Sequence, residues 1–232
     1  MTTFIDPATG YEVRVIRKTI RRIYLRVREG GSVEVTAPRR VSEREIRDFV
    51  AGKTAWLTKY MALVPEKIKF QYVTGEIHHV FGKAYPLQVC FGPRDEAGIA
   101  SGGELQLILR TEQSEREKIF KEGMKRILLI EIAQLLQKWT KRMAIPESRI
   151  TGVTIRVMKS RWGSCRRVMG RFSFALDLVT KPKECIEAVV VHELCHLFAA
   201  GHGPDFYARM ETYLPDYKER DRLLASLPRE LV

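Results

Sequence analysis

The stretch that decides the fold is VVVHELCHLFAAGHGPDF, residues 189–206, which gathers three of the chain's five histidines into eleven positions. In an α-helix, residues four apart return to nearly the same azimuth, so His192 and His196 project side by side from one face. Glu193 lies about 100° further around, beside that face rather than on it. The preceding run CIEAVVV is apolar enough to bury a helix, and imidazoles or a carboxylate placed there need polar or metallic partners. H-E-x-x-H on a helix is the pattern in which two imidazoles hold zinc and the glutamate acts as general base.

Gly201 is expected to take the left-handed conformation that ends a helix, turning the chain just before His202. Such a reversal would deliver a third imidazole. An open zinc site needs three protein ligands and a free fourth position, which nominates His192, His196 and His202 as ligands. Glu193 is then placed to take a proton from water that the metal activates and to pass it to the departing amine. The interval from His196 to His202 matches the longer H-E-x-x-H-x-x-G-x-x-H pattern, although Ala199 stands at its glycine. Asp205 and Glu211 are the alternative third ligands from the helix that follows.

Toward the amino terminus, residues 11–38 alternate as an antiparallel hairpin would, with one basic face. SERE at Ser42–Glu45 is a capping box, and Ile46, Phe49, Val50, Leu57 and Met61 behind it predict a helix of about five turns. Residues 72–109 return to short strands broken by glycine, a meander rather than a parallel sheet. His78 and His79 fall here, on opposite faces of one strand, which suits packing or surface roles better than a shared metal. A second SERE, Ser114–Glu117, is expected to cap a longer helix carrying Ile127, Leu128, Leu135, Leu136, Trp139 and Met143. ITGVTIRVMKSRWGSC and GRFSFALDLV read as two strands around a turn near Arg166–Gly170, and Pro182 fits the first turn of the helix bearing the histidines. No internal repeat is evident.

The order of elements predicts an α+β fold with segregated layers: a strand-rich region with one helix over 1–110 and a catalytic core over 111–232. The formal charge of +12 is local, because Arg14–Arg28 holds seven basic residues and Arg156–Arg171 six, with no acid in either. That unevenness favours an anionic partner, although solvated strand faces would look the same. Cys90, Cys165, Cys185 and Cys195 form no C-x-x-C pair, so packed free thiols are expected. No stretch approaches the roughly 18 apolar residues of a membrane span, and MTTFIDPATG lacks a secretory pattern, which makes the cytoplasm the expected location.

From Arg161 to Leu224 the sequence resembles the YgjP-like metallopeptidase family, relatives of the SprT-like zinc proteases. The likeness begins with Arg161-Trp162-Gly163-Ser164-Cys165, runs through His192, Glu193, His196 and His202, and closes with Leu214-Pro215-Asp216-Tyr217-Lys218. VEVTAPRRVSEREIRDFVAGKTAWLTKY and GEIHHVFGKAYPL extend it over nearly the whole chain. The resemblance implies a zincin-like core with an amino-terminal sheet-rich extension. It also implies zinc on His192, His196 and His202, Glu193 as base, and RWGSC near the active-site helix; Arg161 there reads first as a structural salt-bridge partner and second as a contact for an oxyanion or a substrate carboxylate.

The leading expectation is therefore a zinc peptidase acting on peptides or proteins. Two rivals remain at this level. A metal-dependent hydrolase of nucleotides or other phosphate-containing small molecules would use the same activated water and the basic segment around Arg161–Arg171. A nucleic-acid-associated protein would bind through phosphate neutralisation, though no dedicated nucleic-acid motif is present.

Overall fold

The computed structural model describes residues 2–27, 32–62 and 70–229. The chain forms two compact units, residues 1–69 and 70–232. The division falls at Lys69/Phe70 rather than at the expected 110/111. Packing explains the difference: Leu87, Leu105, Leu107 and Leu109 share one buried cluster with Phe120 and Met124, so residues 70–110 complete the core of the second unit.

The first unit carries four strands: β1 (Thr2–Ile5), β2 (Glu12–Lys18), β3 (Tyr24–Val27) and β4 (Val33–Pro38). They pair in the order β1-β2-β4-β3. Of the expected antiparallel hairpin, β3 and β4 pair antiparallel while the turn between them lies outside the described residues, and β2 pairs with β4 in parallel. Alternation fixes the face a residue occupies, not the direction of its neighbour. Val13, Val15, Val33 and Val35 are buried with Ile46, Val50 and Leu57 from the covering helices.

Those helices are α1 (Glu43–Ala51) and α2 (Thr54–Ala62), where the periodicity predicts one. The break falls at Gly52, whose N–H caps the carbonyls of Asp48 and Val50. The first capping box forms as expected, with the Ser42 hydroxyl accepting from the Glu45 N–H at 3.2 Å and Glu45 Oε2 accepting from the Ser42 N–H at 2.8 Å. Arg17, from the basic run, donates to the carbonyls of Pro38 and Val41, so this cation braces the turn into α1.

The second unit begins with β5 (Ile77–Val80), β6 (Lys83–Phe91), β7 (Glu96–Ile99) and β8 (Leu105–Leu109). Their order is β5-β6-β8-β7, with β6 and β8 parallel, so the sheet is not the expected meander. It repeats the order and strand directions of the first sheet, and each sheet is followed by SERE and a helix. The duplication is one of topology, which explains why similarity of residues did not disclose it.

The second SERE behaves differently from the first. Helix α3 (Arg116–Arg142) starts after Glu115, with no side-chain cap. The Ser114 hydroxyl instead donates to Asp95 Oδ1 at 2.8 Å and accepts from the Thr111 N–H at 3.2 Å. Competing local acceptors of this kind divert serine from caps. Gly123 allows α3 to approach β7 closely, since a Cβ there would lie 2.2 Å from the Ala97 carbonyl oxygen.

Three further strands, β9 (Gly152–Arg156), β10 (Gly163–Arg166) and β11 (Arg171–Ala175), form a sheet of order β10-β11-β9. The stretch expected as one strand thus contributes both β9 and β10. Residues Leu176–Thr180, expected to prolong β11, coil into a buried 3-10 helix. Helices α4 (Lys183–Cys195), α5 (Pro204–Tyr213) and α6 (Tyr217–Ser226) complete the unit. Glu187 ties α4 to α3 and α6, accepting from Lys138 Nζ at 2.6 Å, Trp139 Nε1 at 2.9 Å and Arg220 at 2.7 Å. The whole is α+β, and none of the described helices is long and apolar enough to cross a membrane.

Candidate metal centre

Helix α4 is buried along most of its length, from Cys185 to Cys195, and ends one residue before His196. His192 therefore sits in the last turn and His196 on the cap. Past the helix, the N–H groups of Leu197, Phe198 and Ala199 bond back to Leu194 and Cys195 carbonyls, which tightens the exit. Gly201 is not in the left-handed region; a run of bends over 200–203 makes the reversal instead. The expected return of His202 is realised by a different turn from the one expected.

His202 Nε2 lies 3.0 Å from His192 Nε2, and His196 Nε2 lies 3.3 Å from the same atom. All three ligand atoms fall within 4.8 Å of one another. Tetrahedral zinc with Zn–N bonds of about 2.0–2.1 Å would separate its nitrogens by about 3.3–3.4 Å, so the three imidazoles fit that ion. His196 Nδ1 is 3.1 Å from the Ala199 carbonyl; a carbonyl only accepts, so Nδ1 carries the hydrogen and Nε2 presents its lone pair. An outer hydrogen bond of this kind orients a metal-binding imidazole. The buried ring of Phe206, on α5, stands 4.8 Å from each of the three imidazoles.

Burial, reinforced by His196 and His202, lowers the His192 pKa to about 4, which keeps the imidazole neutral, the form that binds metal. Burial likewise lowers that of His196, against the contrary pull of the Ala199 hydrogen bond. Glu193 is buried, and its Oε2 has no hydrogen-bond partner among the described residues. Desolvation raises the Glu193 pKa to about 7, and the positive charge of Arg161 works in the opposite direction. Such a carboxyl exchanges protons near neutral pH.

These side chains line a cleft of about 600 Å³ together with Arg161, residues of β10, Arg167 and Asp221 of α6. The RWGSC segment thus lies where the resemblance implies. Gly163 is packed on Glu193 so tightly that a Cβ would come within 2.5 Å of Oε1, a requirement invisible before the two segments are brought together. Trp162 is partly buried against the core, with the Arg229 guanidinium 3.8 Å above its ring. Arg161 is exposed and forms no salt bridge among the described residues. Burial raises the Cys165 thiol to about 11, aided by Glu193, so it stays protonated and unreactive.

The alternative third ligands are elsewhere: Asp205 is outside the histidine cluster, and Glu211 pairs with Lys218 at 2.8 Å. His78 is buried among Phe70, Tyr72 and Phe120, 2.9 Å from Glu76, a packing role as expected. Of the cysteines, all four are free; Cys185 and Cys195 are buried, while Cys90 is exposed rather than packed.

An α+β fold that turns three imidazoles and a glutamate into one cleft has the parts of a metallopeptidase. Residues 21–227 match the family described as YgjP-like, metallopeptidase domain, and the chain belongs to that family. Among solved structures, the metallopeptidase zymogen of Pyrococcus abyssi abylysin is similar at 23% identity, over 44% of this chain and 99% of that chain, with a TM-score of 0.37. No curated protein matches the chain.

Proposed function

We propose that this metallopeptidase is a zinc enzyme in which His192, His196 and His202 hold the ion and Glu193 is the general base. The observation that carries the reading is the convergence of three Nε2 atoms, two pairs of them 3.0 and 3.3 Å apart, beside a buried carboxyl. Bound zinc would supply Lewis-acid polarisation of water and of the peptide carbonyl. Glu193 takes the proton of the attacking water and gives it to the leaving amine. Its pKa of about 7 suits both halves of that transfer.

Gly163 leaves room for the Glu193 side chain to pack directly on β10. In the sheet order β10 is an edge strand, which offers backbone groups to an extended peptide by strand addition. Arg161, at the entry to β10, contacts the substrate. The free cysteines suit a reducing compartment, and the cytoplasm is the proposed location.

The test is cleavage of a peptide library by zinc-loaded protein. Glu193→Gln is expected to abolish turnover by at least about 10³-fold, the upper range for general acid–base groups, while keeping zinc. Full activity in that variant rejects the mechanism.

A further inference from the structure

The cleft that holds the histidines also carries two arginines, and in sequence they flank the residue that packs on Glu193. That residue is Gly163. Arg161 stands two residues before it and Arg167 four residues after it, and both line the cleft with exposed side chains. Neither has a carboxylate within ion-pair distance among the described residues. Their fields nonetheless reach inward: Arg161 acts on Glu193, and Arg167 with Arg149 on Cys165.

The hairpin beyond β10 repeats the sign. Arg166 and Arg171 stand directly opposite in the β10–β11 register, a like-charge pairing that costs stability. The cleft carries one acid besides Glu193, Asp221 of α6, whose pKa burial raises. No other lining residue is acidic.

We infer that the cleft selects peptides with acidic side chains on both sides of the bond to be cut. The inference rests on the metallopeptidase reading and specifies its substrate class. Arg161 precedes β10 and Arg167 opens the turn that follows it, so for a peptide laid along β10 one acid is expected on the side of the scissile bond toward Arg161 and another on the side toward Arg167. Arginine forks suit carboxylates at such partly exposed positions.

The test has a binding arm and a cleavage arm, both on the full chain. Fluorescent peptides sharing one neutral centre, with Glu, Gln or Lys at the two flanking positions, are titrated into chelator-treated protein at low and high salt. The acidic peptide is expected to bind about tenfold tighter than the lysine peptide, the scale of two partly exposed ion pairs, and to lose that margin at high salt. Arg161→Glu and Arg167→Glu, made separately, are each expected to shrink the ratio, and the double variant to reverse it. Their melting temperatures check that both remain folded.

Equal binding of all three peptides, or ratios unchanged in the folded double variant, overturns the inference. So does a single-stranded oligonucleotide that displaces the acidic peptide at lower concentration, since the cleft would then be built for phosphate. In the cleavage arm, zinc-loaded protein that cuts neutral and acidic peptides equally well contradicts acid selection but leaves the peptidase reading intact. Tight acidic binding with no peptide cut contradicts the peptidase reading instead.

Discussion

Gly163 and Glu193 are in close contact: a Cβ at 163 would lie 2.5 Å from Glu193 Oε1 and 2.7 Å from its Cγ, so a larger residue there requires the glutamate side chain to shift. β10 and α4 pack together here, and the Glu193 carboxyl lies in the same cleft as the imidazoles. Gly163→Ala is expected to push that carboxyl aside. Displacements of about 1 Å cost about 10²-fold in rate, so kcat should fall by that order with zinc affinity unchanged. Unchanged kcat would separate Glu193 from the chemistry.

A second close approach tests the fold rather than the site. Alanine normally stabilises a helix over glycine by about 1 kcal/mol. At Gly123 the sign should invert, because the added Cβ would sit 2.2 Å from a backbone oxygen of β7. Gly123→Ala is expected to destabilise the protein by about 1–3 kcal/mol, the usual cost of overpacking, as read by urea unfolding.

Glu187 makes stability depend on pH. Burial alone would raise its pKa, but hydrogen bonds from Lys138, Arg220 and Trp139 outweigh this and hold it down to about 2. An unfolded glutamate titrates near 4.3. Its contribution is therefore complete above about pH 4.3 and is lost as pH falls toward 2. Glu187→Gln should cost about 1.5–3 kcal/mol at pH 7, the range for hydrogen bonds to charged groups, and progressively less below pH 4. A cost independent of pH would contradict the ionised assignment.

Much of this arrangement was legible in the sequence because it depends on local periodicity. Four-residue spacing placed His192 and His196 together, and the Ser42 box began its helix where expected. What stayed hidden depends on the third dimension. Alternation in residues 11–38 and 72–109 revealed buried faces but not that β2 with β4 and β6 with β8 run parallel. Two identical tetrapeptides diverged because Ser114 finds Asp95 across a turn, a partner far away in sequence. His202 arrived by bends rather than through a left-handed Gly201, and the roles of Gly163 and Asp221 arise only once β10 and α6 face α4.

The most direct measurement of the central claim is zinc titration of chelator-treated protein and its three histidine variants. One zinc per chain is expected. His192→Ala, His196→Ala and His202→Ala should each weaken binding by more than the roughly 10–100-fold that losing a mere outer-shell partner costs, with melting temperatures showing the metal-free variants still folded. Zinc affinity left intact by His202→Ala would contradict the three-imidazole site, and no zinc bound by the unmodified protein would contradict the account as a whole.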